Sequence, residues 1–364
     1  MLNSIKDNLV VKKMFGVIQN KIKIKMIKHN KKLLNLLNIN KTDFEQLKLL
    51  KQLNHKYYLN IDDIDIQNLD LNYKDLDESI LQNICKIEFN NLKVLDLENN
   101  KISSLESLKN IKLEKLKKLI LKFNKISDIN ILKEINFEQL KELNLSGNII
   151  TIIDVLKDAN FCGIEILNLS NNKISDITTL EKVKFRELKE LNLSLNNLSD
   201  IEVLEKVKFE KLEVLDLREN FISDISVLER VYFKELKYLN LGNNPEMNFD
   251  ILEKVKFDKL ETLCLNYNEI SDIDFLEYVN FRELKTLLLD HNEISDIDVL
   301  KSVKFEKLET LNLSFNSISD ISVFDEIDFK NLQILNLMEN NLDTDNYDVK
   351  LFYLKSKDYY ILYL

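Results

Sequence analysis

The chain has 364 residues, 45% of them apolar, which is enough for two ordinary domains and a substantial buried core. Its net charge of −10 is uneven: residues 1–33 hold nine lysines and one aspartate, so a basic arm precedes an acidic body, and an acidic body argues against a nucleic-acid reader. An odd set of three cysteines (Cys85, Cys162 and Cys264) excludes a disulfide framework, and with no cleavable leader and no apolar run near ~20 residues a soluble, cytoplasmic protein with reduced thiols is expected.

Residues 1–65 read as a basic helical segment that caps the N-terminal end of the body. Phe15, Ile18, Ile22, Met26, Leu33 and Leu37 recur at helical spacing, and Thr42 or Asp43 is placed to cap a second helix over "KTDFEQLKLLKQL". The apolar pattern around Phe15, followed by "IKHNKKL", resembles an F-box, although the Leu-Pro opening of that module is absent. That resemblance implies a substrate receptor of a ubiquitin ligase that docks a Skp1-like adaptor through residues 8–40. A basic helix lying on an anionic membrane is the other expectation for such a segment, and too few apolar positions per turn disfavour it.

Residues 66–343 repeat. An asparagine, position n, falls at Asn100 and returns every 24 residues up to Asn340, eleven times without an insertion. Leucine occupies n−3 and n−5 in every copy, and n−8 in all but one, where Ile164 stands. Residues 66–91 form a degenerate first unit, with Ile84, Ile87 and Phe89 in frame and "LDL" at 69–71 displaced by two residues. A fixed period of this size means a solenoid. The alternating L-x-L predicts a short half-buried strand. "SD" at n+3 and n+4, as at Asp224, supplies residues that favour helix N-caps, and Ile225, Leu228 and Val231 then come three apart. A Phe closes most units, from Phe137 to Phe329, with Leu113 in its place once, and Phe is expected to stack on Phe.

With only four glycines and one proline, the turns need another device. The asparagine amide has both donors and an acceptor, so stacked copies are expected to form a ladder that satisfies buried backbone groups of adjacent coils. Pro245, Glu246 and Phe249 break the pattern, so the turn after Asn244 is expected to bulge. The closing residues 344–364, ending in "DYYILYL", are expected to cap the last coil.

L-x-x-L-x-L-x-x-N-x-I resembles the leucine-rich repeat signature, and "NxIsDIxxL" is similar to the phosphatase-regulator and internalin type of that family. The resemblance implies an α/β, right-handed horseshoe solenoid with a parallel sheet on its concave side. It implies a non-catalytic scaffold for a protein or peptide ligand, with a regulator of a protein phosphatase as a rival reading.

No phosphate-cradling glycine loop and no zinc-ligand spacing occur, and His29, His55 and His291 lie far apart, so no cofactor, metal or catalytic residue is expected. Function is then expected at the variable outward positions n−6, n−4, n−2 and n−1. Many copies are bland there. Leu195, Asp216, Arg218, Glu219, Tyr238, Cys264, Tyr267, Leu288, Asp290, His291 and Phe315 are not, and aromatic residues with Arg on one rigid face are the usual make-up of a partner-binding patch. Of these, His291 is read as a surface patch member and Cys264 as an outward-facing residue.

Overall fold

The computed structural model describes residues 41–61, 63–244, 247–327, 329–343 and 361–363. The segment resembling an F-box and the Pro245–Glu246 turn lie outside them. The chain divides into two compact units, Met1–Leu143 and Asn144–Leu364.

In the first unit, helix α1 (Lys41–Tyr57) buries Leu47, Leu50 and Leu53. Thr42 and Asp43 fall within its first turn, not ahead of it, so neither is its N-cap. The helix is tied down at both ends. Asn54 accepts from the Ile61 N–H at 3.0 Å and donates to its C=O at 2.6 Å, and Gln46 accepts from the Glu88 N–H at 3.2 Å. Strands β1 (Asn68–Asp70), β2 (Val94–Asp96) and β3 (Lys118–Ile120) come next as a parallel sheet. Leu69 faces Leu95, and Leu95 faces Leu119. The two-residue displacement of "LDL" is therefore real. The first coil returns through an α-helix, α2 (Glu78–Ile84), with Asp77 as its N-cap. An α-helix advances less per residue than a 3-10 helix, so that coil absorbs the two extra residues.

Strand β4 (Glu142–Asn144) carries the boundary. The second unit then runs through β5 (Ile166–Asn168), β6 (Glu190–Asn192), β7 (Val214–Asp216), β8 (Tyr238–Asn240), β9 (Thr262–Cys264), β10 (Thr286–Leu288), β11 (Thr310–Asn312) and β12 (Ile334–Asn336). Each pairs in parallel with the next, leucine opposite leucine. A closing strand, β13 (Ile361–Tyr363), adds to β12 with Leu362 opposite Leu335.

The links between strands differ from the sequence expectation. Most are 3-10 helices of four or five residues, such as Ser226–Glu229, and the residue before each is usually an isoleucine, which has nothing to cap with. The recurring Asp instead works from two residues ahead: Asp224 accepts from the Ser226 N–H at 2.8 Å, and Asp200, Asp272 and Asp296 do the same in their coils. This is the local side-chain-to-backbone turn that Asp favours. These N–H groups, with the neighbouring hydroxyl second, hold the carboxyls of Asp176, Asp224 and Asp320 below the ordinary range. Spacing by three is the period of the 3-10 helix itself, and that is why Ile225 and Leu228 share a buried side.

The interior is filled by the repeat leucines, each 0–1% exposed at n−3 and n−5, and by the phenylalanine column. Phe185 lies between Phe161 and Phe209, with centroids 6.3 and 6.4 Å away. Leu113 fills the same place at 2% exposure. Phe249, in the position of an isoleucine, is buried and stacks on Phe275 at 6.0 Å.

The asparagine ladder is present. Asn220 donates to Leu193 O, Leu217 O and Arg218 O at 3.1, 3.0 and 3.2 Å and accepts from the Leu198 N–H at 3.0 Å. Asn124 in the first unit makes the equivalent four contacts. Each amide therefore joins its own turn to the preceding coil.

A second lattice lies outside. Ion pairs of 2.5–2.8 Å join consecutive coils, alternately in two columns: Glu165–Lys189, Glu187–Lys211, Glu213–Lys237, Glu235–Lys259, Glu261–Lys285 and Glu283–Lys307. In each column the sign flips at every coil. These pairs are solvent-exposed, so each contributes only ~0.2–1 kcal/mol.

Candidate functional site

Leu at n−5 and n−3 must face inward, so n−6 and n−4 face out along each strand. The chain then has to turn so that Asn at n points back inside. It turns at n−1, which adopts a left-handed backbone in every described copy: φ is 52° at Asn99, 65° at Gly147, 54° at Leu195, 53° at Glu219, 53° at Asn243, 61° at Tyr267, 55° at His291 and 53° at Phe315. Glycine or asparagine is the ordinary occupant of such a position, and other side chains cost roughly 1–2 kcal/mol there. In the Asn144–Leu364 unit the column nevertheless carries three aromatic rings in succession.

Those rings stack. Tyr267 and His291 have centroids 4.0 Å apart at 14° between planes, and His291 and Phe315 are 4.2 Å apart at 12°. Tyr267 is 49% and Phe315 46% exposed. His291 is held from below: its Nδ1 lies 3.1 Å from Asp290 Oδ2, while Asp290 Oδ1 accepts from Asn312 Nδ2 at 2.8 Å.

The remaining expected patch residues divide. Arg218 is exposed, and Leu195, Glu219 and Leu288 are half-buried. Asp216 and Cys264 do point out of the sheet but are covered, at 7% and 3% exposure, so they form the floor and not a contact surface. Asp216 accepts from the Arg218 N–H at 3.1 Å and has the Arg218 guanidinium 3.6 Å away; burial raises its carboxyl above the usual range in spite of these contacts. Half-buried Tyr238 is what covers Cys264: its hydroxyl accepts from Asn240 Nδ2 at 3.0 Å and lies 3.9 Å from Cys264 Sγ. Burial pushes the Tyr238 phenol far up and the Cys264 thiol up to about 11.

Two structural devices on this face escaped the sequence reading. The side-chain oxygen at n−4 accepts from the n−2 N–H, as from Asn144 to Ser146, Asn192 to Ser194 and Asn312 to Ser314, so the "bland" polar residues close the strand. Gly242 at n−2 lies close to the next coil: a Cβ there would stand 2.8 Å from Asn266 Oδ1, the end of a side chain, and 3.0 Å from Asn266 O, whereas other coils carry Ser, Arg or Asp at this position.

The thiols give a direct check of this geometry. Cys162 is exposed, whereas burial pushes Cys85 up to about 12 and Cys264 to about 11. Iodoacetamide at pH 8 is expected to label only Cys162 in the folded protein and all three after unfolding. Labelling of Cys264 before unfolding would contradict the covered floor.

Among the described residues no group of three or more His, Cys, Asp or Glu is placed to hold a metal ion, and no helix is long and apolar enough to cross a membrane.

Comparisons with known proteins agree with this architecture. The family model described as Leucine Rich repeats (2 copies) matches residues 138–182, 186–230 and 258–302, and single-repeat models match 91–111 and 306–323. No curated protein matches the chain. Among solved structures, an internalin of Listeria monocytogenes is 26% identical over 80% of this chain and 83% of its own, with a TM-score of 0.57. A leucine-rich-repeat protein of Leptospira interrogans is 20% identical over 87% and 98%, with a TM-score of 0.52. The Arabidopsis receptor kinase HAESA, solved with the peptide hormone IDA and the co-receptor SERK1, is 24% identical over 76% of this chain and 47% of its own, at 0.57. The chain is a leucine-rich-repeat protein, with the α/β solenoid architecture of that family.

Proposed function

We propose that this protein is a non-catalytic scaffold that holds a protein or peptide partner on the exposed sheet face of the Asn144–Leu364 unit. One observation carries the reading. Three aromatic rings, Tyr267, His291 and Phe315, are stacked and partly exposed in a backbone conformation that their residue types disfavour. Every coil holds n−1 at this angle, so what sets these three coils apart is the stacked, partly exposed rings that fill it. Aromatic anchors on a rigid element, flanked by Arg218 and Leu288, match the composition of binding hot spots. The likeness to HAESA is one of fold, so the proposal rests on the rings and not on that receptor's ligand.

The test uses substitutions that the repeat itself tolerates. Asn stands at n−1 at Asn99, Asn171 and Asn243 with the same positive φ. Peptides selected from a displayed random library on the full chain are expected to bind Tyr267→Asn/Phe315→Asn about 30-fold more weakly, the loss of a hot spot of ~2 kcal/mol. The urea midpoint serves as the folding control. Equal affinity for the folded double variant rules out the ring column.

A further inference from the structure

The ring column continues in both directions, to a carboxylate directly on one side and, past one asparagine, on the other. Reading n−1 coil by coil gives Glu219, Asn243, Tyr267, His291, Phe315 and Glu339. The rings are therefore bracketed by two carboxylates, Glu339 one coil beyond Phe315 and Glu219 two coils before Tyr267.

The charged residues at n−2 and n−4 beside the column are already engaged with neighbours. The guanidinium of Arg218 is turned to Asp216, at 3.6 Å. Both oxygens of Asp290 are taken, by Asn312 and His291. Among the described residues no cation pairs with Glu219 or Glu339, which are half-buried and exposed respectively. Among the described residues, therefore, an unpaired carboxylate stands beyond the rings on each side, at Glu339 and, past Asn243, at Glu219.

We infer that this column takes an extended peptide with apolar residues at its centre and a basic residue at each end. This rests on the binding face proposed above and adds the chemistry and length of its occupant. Strands lie about 4.8 Å apart, so the five steps from Glu219 to Glu339 span roughly 24 Å. An extended peptide rises about 3.3 Å per residue, so two cations about seven residues apart reach both carboxylates while the residues between them lie over the rings. A carboxylate pair at this spacing selects against acidic peptides, because each like-charge contact is unfavourable.

Three synthetic eight-residue peptides, blocked at both termini and labelled for fluorescence polarisation, test the inference on the full chain. All have leucines at the centre, and they differ in having Lys, Ala or Glu at both ends. The Lys-ended peptide is expected to bind about tenfold more tightly than the Ala-ended one and to lose that advantage as salt is raised. The Glu-ended peptide is expected to bind more weakly than either. In the variant Glu219→Lys/Glu339→Lys the order is expected to reverse in favour of Glu ends. Those carboxylates are surface groups, so the variant should keep the urea midpoint of the parent. Equal binding of the three peptides, no binding of any to the folded parent, or an order unchanged in the variant overturns the inference. Each of those results leaves the ring column standing or falling on the library selection with Tyr267→Asn/Phe315→Asn.

Discussion

Replacing Asn220 with alanine is expected to lower the unfolding free energy by about 3–5 kcal/mol, because one side chain bonds to three buried backbone groups and to a fourth group, Arg218 O, that also accepts from the Leu195 N–H. Its amide donates to Leu193 O, Leu217 O and Arg218 O, and its oxygen takes the Leu198 N–H. The residue is 5% exposed, so water does not replace these contacts. A lost partner leaves ~1–3 kcal/mol of unmet desolvation per group, and partial relaxation keeps the total below the simple sum. Urea unfolding followed by circular dichroism measures the change, and a loss under ~1 kcal/mol would show that the ladder is incidental. Asn220→Asp refines the test. It keeps an acceptor but turns a negative oxygen toward three carbonyls, which favours the protonated acid in the folded state. A folded pKa above the unfolded one means that the penalty is full at neutral pH and shrinks as pH falls through the folded value. The aspartate variant should therefore gain stability on mild acidification relative to the parent.

Phe185→Ala is expected to cost about 3–5 kcal/mol, the range for emptying a packed aromatic site. Phe185 is 2% exposed and contacts Phe161 and Phe209 across both neighbouring coils, so its loss opens a void shared by three repeats. Phe185→Leu should cost under ~1.5 kcal/mol, because the chain already uses Leu113 at the same place in another coil. The urea midpoints of the two variants decide this. An alanine variant no less stable than the leucine one would remove the spine from the account of stability.

The parts of this architecture that depend on identical residues at a fixed step were legible in the sequence. Asn at n, Leu at n−3 and n−5, and the two-residue displacement before Leu95 all reappear as observed contacts. Features that depend on backbone angle were not legible. The left-handed turn at n−1 is occupied by Leu195, Glu219, Tyr267, His291 and Phe315, types that do not advertise positive φ, so the column could be singled out as a patch but not as a turn. That these residues lie in adjacent rows follows from the 24-residue step, but that Tyr267, His291 and Phe315 stack face to face follows from the shared left-handed turn, which the sequence does not display. Accessibility was misjudged at Asp216 and Cys264, because direction follows from alternation whereas cover depends on neighbours such as Tyr238. The links were expected to be helices capped by Ser or Asp. The signal that could have corrected this was present in the strict spacing of three and in the short distance between Asp224 and the end of its turn.

The alternating ion pairs bear on how such a chain can change length. Excising residues 197–220 would set Lys189 beside Lys237 and Glu187 beside Glu235, like against like in both columns. Excising residues 197–244 would bring Lys189 to Glu261 and Glu187 to Lys259, and every attraction would return. A change in length of this region therefore keeps both columns attractive only in steps of 48 residues, so its electrostatic period is a doublet although its folding period is a single turn.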